Sequence, residues 1–153
     1  MRSPFYRVGA WCWIVTGVGH TVTDVALRLS PPEADREFDA VLRDHPFELM
    51  GGRTSHYDLF MGFSIAMGLA IGLVGFLLLM LDRFATKPDQ KRTTGIIGLA
   101  ASSGLLALSI AWMPPPPILF FSIATVAFTI AVFTLGNSST HIPRPATLDR
   151  AGR

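Results

Sequence analysis

The sequence predicts an all-α integral membrane protein, a single-domain bundle of four transmembrane helices. Half of the 153 residues are apolar and only 16% are charged, whereas soluble domains carry nearer a quarter charged residues. No Asp, Glu, Lys or Arg occurs in segments 59–81 and 93–143. A helix needs about 20 apolar residues to cross the hydrocarbon core, and these runs are long enough.

The first two spans are predicted from their boundaries. The first covers residues 8–27, and the Ser-Pro-Pro segment 30–32 ends it. The second covers residues 57–81 and begins with Ser55 as N-cap and Asp58 three positions later, a variant of the capping box.

The last two spans flank a run of prolines. The third covers residues 94–112, and the four prolines 114–117 are expected to interrupt the helix. The fourth covers residues 118–135. The segment 137–153 is rich in Pro, Ser, Thr and Arg, which predicts a disordered tail.

The outer loop, residues 28–56, predicts one short amphipathic helix. Phe38, Val41 and Leu42 fall on one face of it, and charged residues lie opposite. We expect this helix to lie on the outer membrane interface or to cap the bundle.

The distribution of basic residues predicts the orientation. Most Lys and Arg residues precede the first span, lie between the second and third, or follow the fourth. The positive-inside rule then places both termini in the cytoplasm of a multi-pass plasma membrane protein. Since the charges lie in loops and tails, the net charge of +2 does not indicate a nucleic-acid partner.

Polar residues inside the spans predict the functional site, because such groups are costly in hydrocarbon. His20 and Asp24 are four residues apart and share one helix face. We expect the ionisable groups to collect in the outward half of the bundle and the opposite half to be apolar. The predicted catalytic residues are His20, Asp24 and Asp58. The predicted substrate-binding residues are Thr16, Arg53, His56, Ser64, Ser102, Thr125 and Thr129.

A carboxylate four residues from a histidine can orient the imidazole, and a second carboxyl group can act as an acid. This pairing favours acid–base catalysis without a cofactor, such as isomerisation, epoxide opening or cyclisation of an isoprenoid, sterol-like or quinone-like molecule. Two other functions stay open, a small oligomeric transporter or proton-coupled channel and a non-catalytic accessory protein.

Several of these residues also have structural interpretations. Asp24 is at the right spacing to pair with Arg28, and Asp58 can serve only to cap its helix. A mixed metal site at the outer mouth, formed by His20, Asp24, His56 and Asp58, is a weaker alternative. Its histidines and carboxylates lack the usual spacing of a metal-binding helix.

Gly68 and Gly72 form a GxxxG pair in the second span. Such pairs allow helices to approach closely in lipid. They serve either packing within the chain or a homodimer, and the sequence does not distinguish the two.

The segment 52–64, Gly-Arg-Thr-Ser-His-Tyr-Asp-Leu-Phe-Met-Gly-Phe-Ser, resembles a family of small four-helix bacterial membrane proteins. In that family an Arg-Thr pair precedes Asp-Leu-(Phe/Tyr)-x-Gly-Phe-Ser at the start of the second helix. A histidine in the first helix also fits the family, and His20 is such a residue in this chain. The resemblance implies the four-span layout and a role for Arg53, Asp58 and Ser64, but no activity.

Overall fold

The computed structural model describes residues 4–137, and this part of the chain is all-α apart from one short β-hairpin. The all-α class is therefore confirmed. The elements in chain order are α1 (Pro4–Leu29), α2 (Glu33–Asp44), β1 (Pro46–Leu49), β2 (Gly52–Ser55), α3 (His56–Phe84), α4 (Pro88–Trp112) and α5 (Pro115–Asn137).

Within residues 4–137, three helices are long and apolar enough to cross a membrane, namely α3, α4 and α5. The 26-residue helix α1 has the length but is not among them. It carries His20 and Asp24 together with several Gly and Thr residues, and these lower its mean hydropathy. Three candidate spans thus stand where the sequence predicts four.

The four prolines 114–117 exclude fewer residues from helix than expected. Helix α5 begins at Pro115, so three of the four prolines lie in its first turn and the prediction that this helix begins at residue 118 was wrong. The first N–H groups of a helix have no partner inside it, so proline removes no hydrogen bond there. The predicted disordered tail falls outside the described residues, apart from Asn137 at the end of α5.

The start of α3 confirms the predicted cap. The N–H of Asp58 donates to Ser55 Oγ at 3.1 Å, and the Ser55 hydroxyl donates to Asp58 Oδ2 at 2.8 Å. Each partner satisfies a polar group of the other, as in a capping box.

The predicted amphipathic helix of the outer loop is present as α2, and a hairpin that was not predicted follows it. Strands β1 and β2 pair antiparallel, with Glu48 opposite Arg53. Met50 and Gly51 form the turn with φ of 52° and 84°, the left-handed pair that a tight two-residue hairpin requires.

Helix α1 packs mainly against α3 and α5, and α5 packs against α4. We call the end where α1 and α4 begin the lower end, and the end where α3 and α5 begin the upper end. Two edge-to-face ring pairs join α1 to α5, Tyr6 with Phe128 at 5.3 Å and Trp13 with Phe121 at 5.4 Å between centroids. These rings form the core with small residues of α1 and α5.

Glycines allow α1 and α3 to approach closely. A Cβ atom added to Gly17 would lie 2.6 Å from the carbonyl oxygen of Gly68 and from Cα of Gly72. One added to Gly75 would lie 2.7 Å from the backbone nitrogen of Ile14. The GxxxG pair of α3 therefore serves packing within the chain. A homodimer through Gly68 and Gly72 stays untested, and it would have to share this face with α1.

Replacing Gly17 by Ala should destabilise the protein by roughly 1–3 kcal/mol, because the new methyl group overpacks the α1–α3 contact. Gly19 supplies the matched control, since a Cβ there has no neighbour within 4 Å among residues 4–137. Gly19→Ala should be neutral or slightly stabilising. Thermal unfolding of both variants in detergent measures the difference, and equal shifts would show that α1 does not pack on α3 through Gly17.

Candidate functional site

His20 and Ser64 meet between α1 and α3 in the upper half of the bundle. His20 Nε2 and Ser64 Oγ are 3.1 Å apart and share a hydrogen bond whose donor depends on the imidazole tautomer. Asp24 follows one turn later on α1, with Oδ2 at 3.4 Å from the same nitrogen. The structure thus brings together two of the predicted catalytic residues and one predicted binding residue. We call His20, Asp24 and Ser64 the histidine cluster.

The carboxylate of Asp24 has unused hydrogen-bonding capacity. Its side chain is 13% exposed, and within the described residues its buried Oδ2 accepts no hydrogen bond. The 3.4 Å contact with His20 is close enough for an ion pair when the ring is protonated, but it lacks hydrogen-bond geometry. A buried carboxylate oxygen without a donor is costly, so a protonated His20 or a polar ligand would stabilise it.

The cluster is not a nucleophile triad, although it contains a serine, a histidine and an aspartate. In a triad the histidine uses one ring nitrogen for the serine and the other for the carboxylate. Here a single nitrogen of His20 faces both Ser64 and Asp24. The geometry suits proton transfer by the imidazole better than activation of the Ser64 hydroxyl.

A pocket of about 260 Å³ adjoins His20 on the side facing α5. Thr16 also borders it, and its hydroxyl donates to the Cys12 carbonyl at 2.8 Å. The prolines before and within the first turn of α5 form the opposite wall. The lining residues are Val15, Thr16, Gly19, His20, Thr23, Pro114, Pro116, Pro117 and Phe120.

Asp58 lies apart from the histidine cluster. Besides its contacts with Ser55, its Oδ1 is 3.6 Å from Arg28 Nη2, and its side chain is 55% exposed. Arg28 thus pairs with Asp58 across the helix ends rather than with Asp24. The structural interpretation of Asp58 as a helix cap is confirmed, and its catalytic role stays a prediction.

His56 and Arg53 belong to the outer loop. The Nδ1 atom of His56 is 3.2 Å from the His45 carbonyl oxygen, and its ring lies 4.5 Å from that of Phe47. Arg53 is exposed on β2. Of the two, His56 borders a ligand-sized space.

That space is an apolar groove of about 650 Å³ between α2 and the first two turns of α3. Its volume is in the range of small-molecule sites. Met61 borders it and precedes Ser64 by three residues on α3, a rise of about 4.5 Å. We call it the α2–α3 groove, and it is lined by Leu27, Pro31, Pro32, Asp35, Phe38, Asp39, Leu42, His56, Tyr57, Leu59, Phe60, Met61 and Phe63.

The other predicted hydroxyl groups make internal hydrogen bonds. Ser102 is 0% exposed and accepts from Trp13 Nε1 at 2.8 Å. Thr125 and Thr129 donate to carbonyls one turn back, those of Phe121 and Thr125, at 2.8 Å each. None of the three borders the pocket beside His20, and their role in substrate binding stays a prediction.

In the part of the chain that the structure describes, no group of three or more His, Cys, Asp or Glu side chains could hold a metal ion. The four residues considered for a mixed site do not lie together. His20 and Asp24 lie together, whereas Asp58 lies with Arg28 and His56 with the hairpin.

The lower end contains a buried ion pair that the sequence analysis missed. Lys91 Nζ of α4 is 3.8 Å from Asp82 Oδ1 of α3, and the two side chains are only 13% and 8% exposed. The expectation of an apolar lower half was therefore wrong. Asp82 is the first charged residue after a long apolar run. That position in the sequence could have indicated a carboxylate close to the membrane-spanning part of α3.

Comparisons with protein-family models, with curated proteins and with solved structures found no match to this chain.

The buried ion pair generates a stability prediction. Lys91→Met should destabilise the protein by roughly 3 kcal/mol, because it leaves the Asp82 carboxylate buried without its cation. The double variant Asp82→Asn/Lys91→Met should recover most of this loss. Unfolding in detergent measures both, with Arg92→Met as control because Arg92 is exposed on the same helix. Additive losses in the double variant would contradict the pairing.

Proposed function

We propose that this chain is a membrane-embedded enzyme that uses His20 and Asp24 for acid–base catalysis on a lipophilic small molecule. The reaction class is isomerisation, epoxide opening or cyclisation, and the substrate is isoprenoid, sterol-like or quinone-like. The observation that carries the proposal is the histidine cluster beside a pocket that is lined mainly by apolar residues between long apolar helices. Ionisable groups placed at such depth are costly and commonly functional.

The proposal needs α1 as a fourth membrane span. Its contacts with α3 run from Ile14 beside Gly75, through Gly17, to His20 beside Ser64. A helix packed along another over this length lies at the same depth in the bilayer. If α3 crosses the membrane, α1 crosses it too.

The outer face of α1 supports the same conclusion. Six exposed side chains recur along it every three or four residues, and all are apolar. Such a stripe is unfavourable in water but suits contact with lipid. The stripe consists of Val8, Trp11, Val15, Val18, Val22 and Val25.

The proposed orientation follows the positive residues, with both termini in the cytoplasm of a bacterial inner membrane protein. Arg83, Lys87 and Arg92 lie at the lower end, which is then the cytoplasmic end. The histidine cluster, the hairpin and α2 belong to the outward half. The single-domain, four-span layout and its resemblance to a small bacterial family are part of this proposal.

In the proposed chemistry, the His20 imidazole takes a proton from the substrate or gives one to it through the ring nitrogen that Ser64 does not engage. The nearby Asp24 carboxylate stabilises the imidazolium that forms when the ring accepts the proton. Ser64 holds the ring in place through its hydrogen bond. An isomerisation balances in this scheme, because one carbon loses a proton to His20 and another gains one from it, after exchange with water, while a double bond shifts between them.

Two separate spaces in the upper half of the bundle are available to the substrate. The pocket beside His20 holds about 260 Å³, enough for a reacting group, and the α2–α3 groove holds about 650 Å³. An apolar tail in the groove would keep the molecule partly within the bilayer. Remote binding of this kind orients the reacting group.

The test uses purified protein in nanodiscs prepared from a bacterial membrane lipid extract and incubated in D₂O. Isomerisation or cyclisation through His20 places a solvent deuteron on carbon, and ring opening adds solvent, so one lipid species changes mass. His20→Gln and Asp24→Asn should lower the rate by roughly 10²–10⁴-fold, the usual contribution of general acid–base catalysis. Mass spectrometry of the extracted lipids measures the rate.

His45→Gln and Asp44→Asn are the matched controls, since both residues are exposed in the outer loop. They should leave the rate unchanged. Full turnover in the His20 and Asp24 variants would contradict the proposal. If the protein shows no turnover but moves protons into proteoliposomes, and this movement requires His20, then transport rather than catalysis is its function.

A further inference from the structure

A second groove lies at the lower end, between the beginning of α1 and the end of α3. It holds about 390 Å³. Two arginines and several apolar side chains line it. Its lining residues are Arg7, Trp11, Ile14, Phe76, Leu79, Met80, Asp82 and Arg83, and we call it the basic groove.

The arginines of the basic groove have unsatisfied charge. Arg7 and Arg83 are exposed, and neither forms an ion pair within residues 4–137. The groove also contains Asp82, but the carboxylate of Asp82 is paired with Lys91 at 3.8 Å. The groove therefore keeps a net positive charge of about two, which attracts an anion.

The apolar part of the groove extends away from this charge. From Arg7 to Ile14 and from Arg83 to Phe76 is seven residues on each helix, a rise of about 10 Å. Trp11 lies between the two levels and is 52% exposed. Tryptophan at this position is typical of the boundary between headgroups and hydrocarbon. A ligand that fits this arrangement has an anionic head and an apolar chain.

We propose that the basic groove binds an anionic phospholipid of the cytoplasmic leaflet. Its phosphate contacts Arg7 and Arg83, and an acyl chain lies along Ile14 and Phe76. Basic pockets between membrane helices on the cytoplasmic side bind such headgroups. The inference rests on the membrane insertion proposed above, but it is independent of the chemistry at His20.

The experiment measures quenching of Trp11 by brominated lipids in phosphatidylcholine vesicles that contain the full chain. The Trp112→Phe background removes the exposed tryptophan of the upper end, while Trp13 is buried and only 4% exposed. Brominated phosphatidylglycerol is compared with brominated phosphatidylcholine at equal mole fraction. Inorganic phosphate is then added as a competitor.

In the parent protein, brominated phosphatidylglycerol should quench Trp11 more strongly, and phosphate should not reverse the effect. Arg7→Gln/Arg83→Gln should weaken this preference roughly 10- to 30-fold, from about 1 kcal/mol for each basic residue at the membrane surface. The matched control Lys87→Gln/Arg92→Gln removes two charges of the same end from outside the groove, and it should keep the preference.

Equal quenching by the two lipids in the parent protein would overturn the lipid site, even if the arginine variants fail to fold. Equal loss of preference in the two double variants would also overturn it, since general surface charge would then explain the result. Reversal by inorganic phosphate would indicate a site for free anions. Quenching by neither lipid would overturn both this site and the proposed membrane insertion.

Discussion

Gly17 lies against the backbone of Gly68 and Gly72, so no side chain separates α1 from α3 at this level. The close approach depends on glycine in both helices, because a methyl group on Gly17 would overlap backbone atoms. One turn along, it brings His20 within hydrogen-bonding distance of Ser64. The same contact holds α1 alongside α3 in antiparallel orientation. The position of the candidate site, and the proposal that α1 spans the membrane, both depend on this packing.

The all-α class, the outer-loop helix and the capped start of α3 could be predicted, because each rests on local sequence. Charge-free runs, an apolar face and the Ser55–Asp58 spacing determine them without tertiary contacts. The hairpin was missed because its strands have four residues each and begin with Pro46 or Gly52. The start of α5 was placed too late because proline was treated as a helix breaker even where the first turn accepts it.

The candidate site was predictable only where spacing on one helix was sufficient. His20 and Asp24 share a face of α1, so their proximity followed from helical geometry. The contact with Ser64, the separate pairing of Arg28 with Asp58 and the ion pair between Asp82 and Lys91 connect different elements. Their formation depends on rotation and depth of whole helices, which a single sequence does not determine. Ser102 illustrates the opposite error, since a hydroxyl expected to line a cavity instead satisfies the Trp13 indole in the core.

The two ends of the bundle differ in how they satisfy charge. At the upper end Asp24 keeps an oxygen beside His20 that accepts no hydrogen bond in the described part of the chain, which leaves capacity for a reacting group. At the lower end the buried Asp82 is neutralised by Lys91, while Arg7 and Arg83 form no ion pair within residues 4–137, which leaves capacity for an anion. The proposed catalysis uses the unsatisfied carboxylate, and the proposed lipid site uses the two unpaired arginines. The depth of α1 in the bilayer is the claim on which both proposals rest. Spin labels on single cysteines at Val15, Val18 and Val22, in a Cys12→Ser background, measure that depth directly in vesicles. High collision with oxygen and low collision with a water-soluble nickel complex at all three positions is the predicted result, and high collision with the nickel complex at Val15 or Val18 would contradict it.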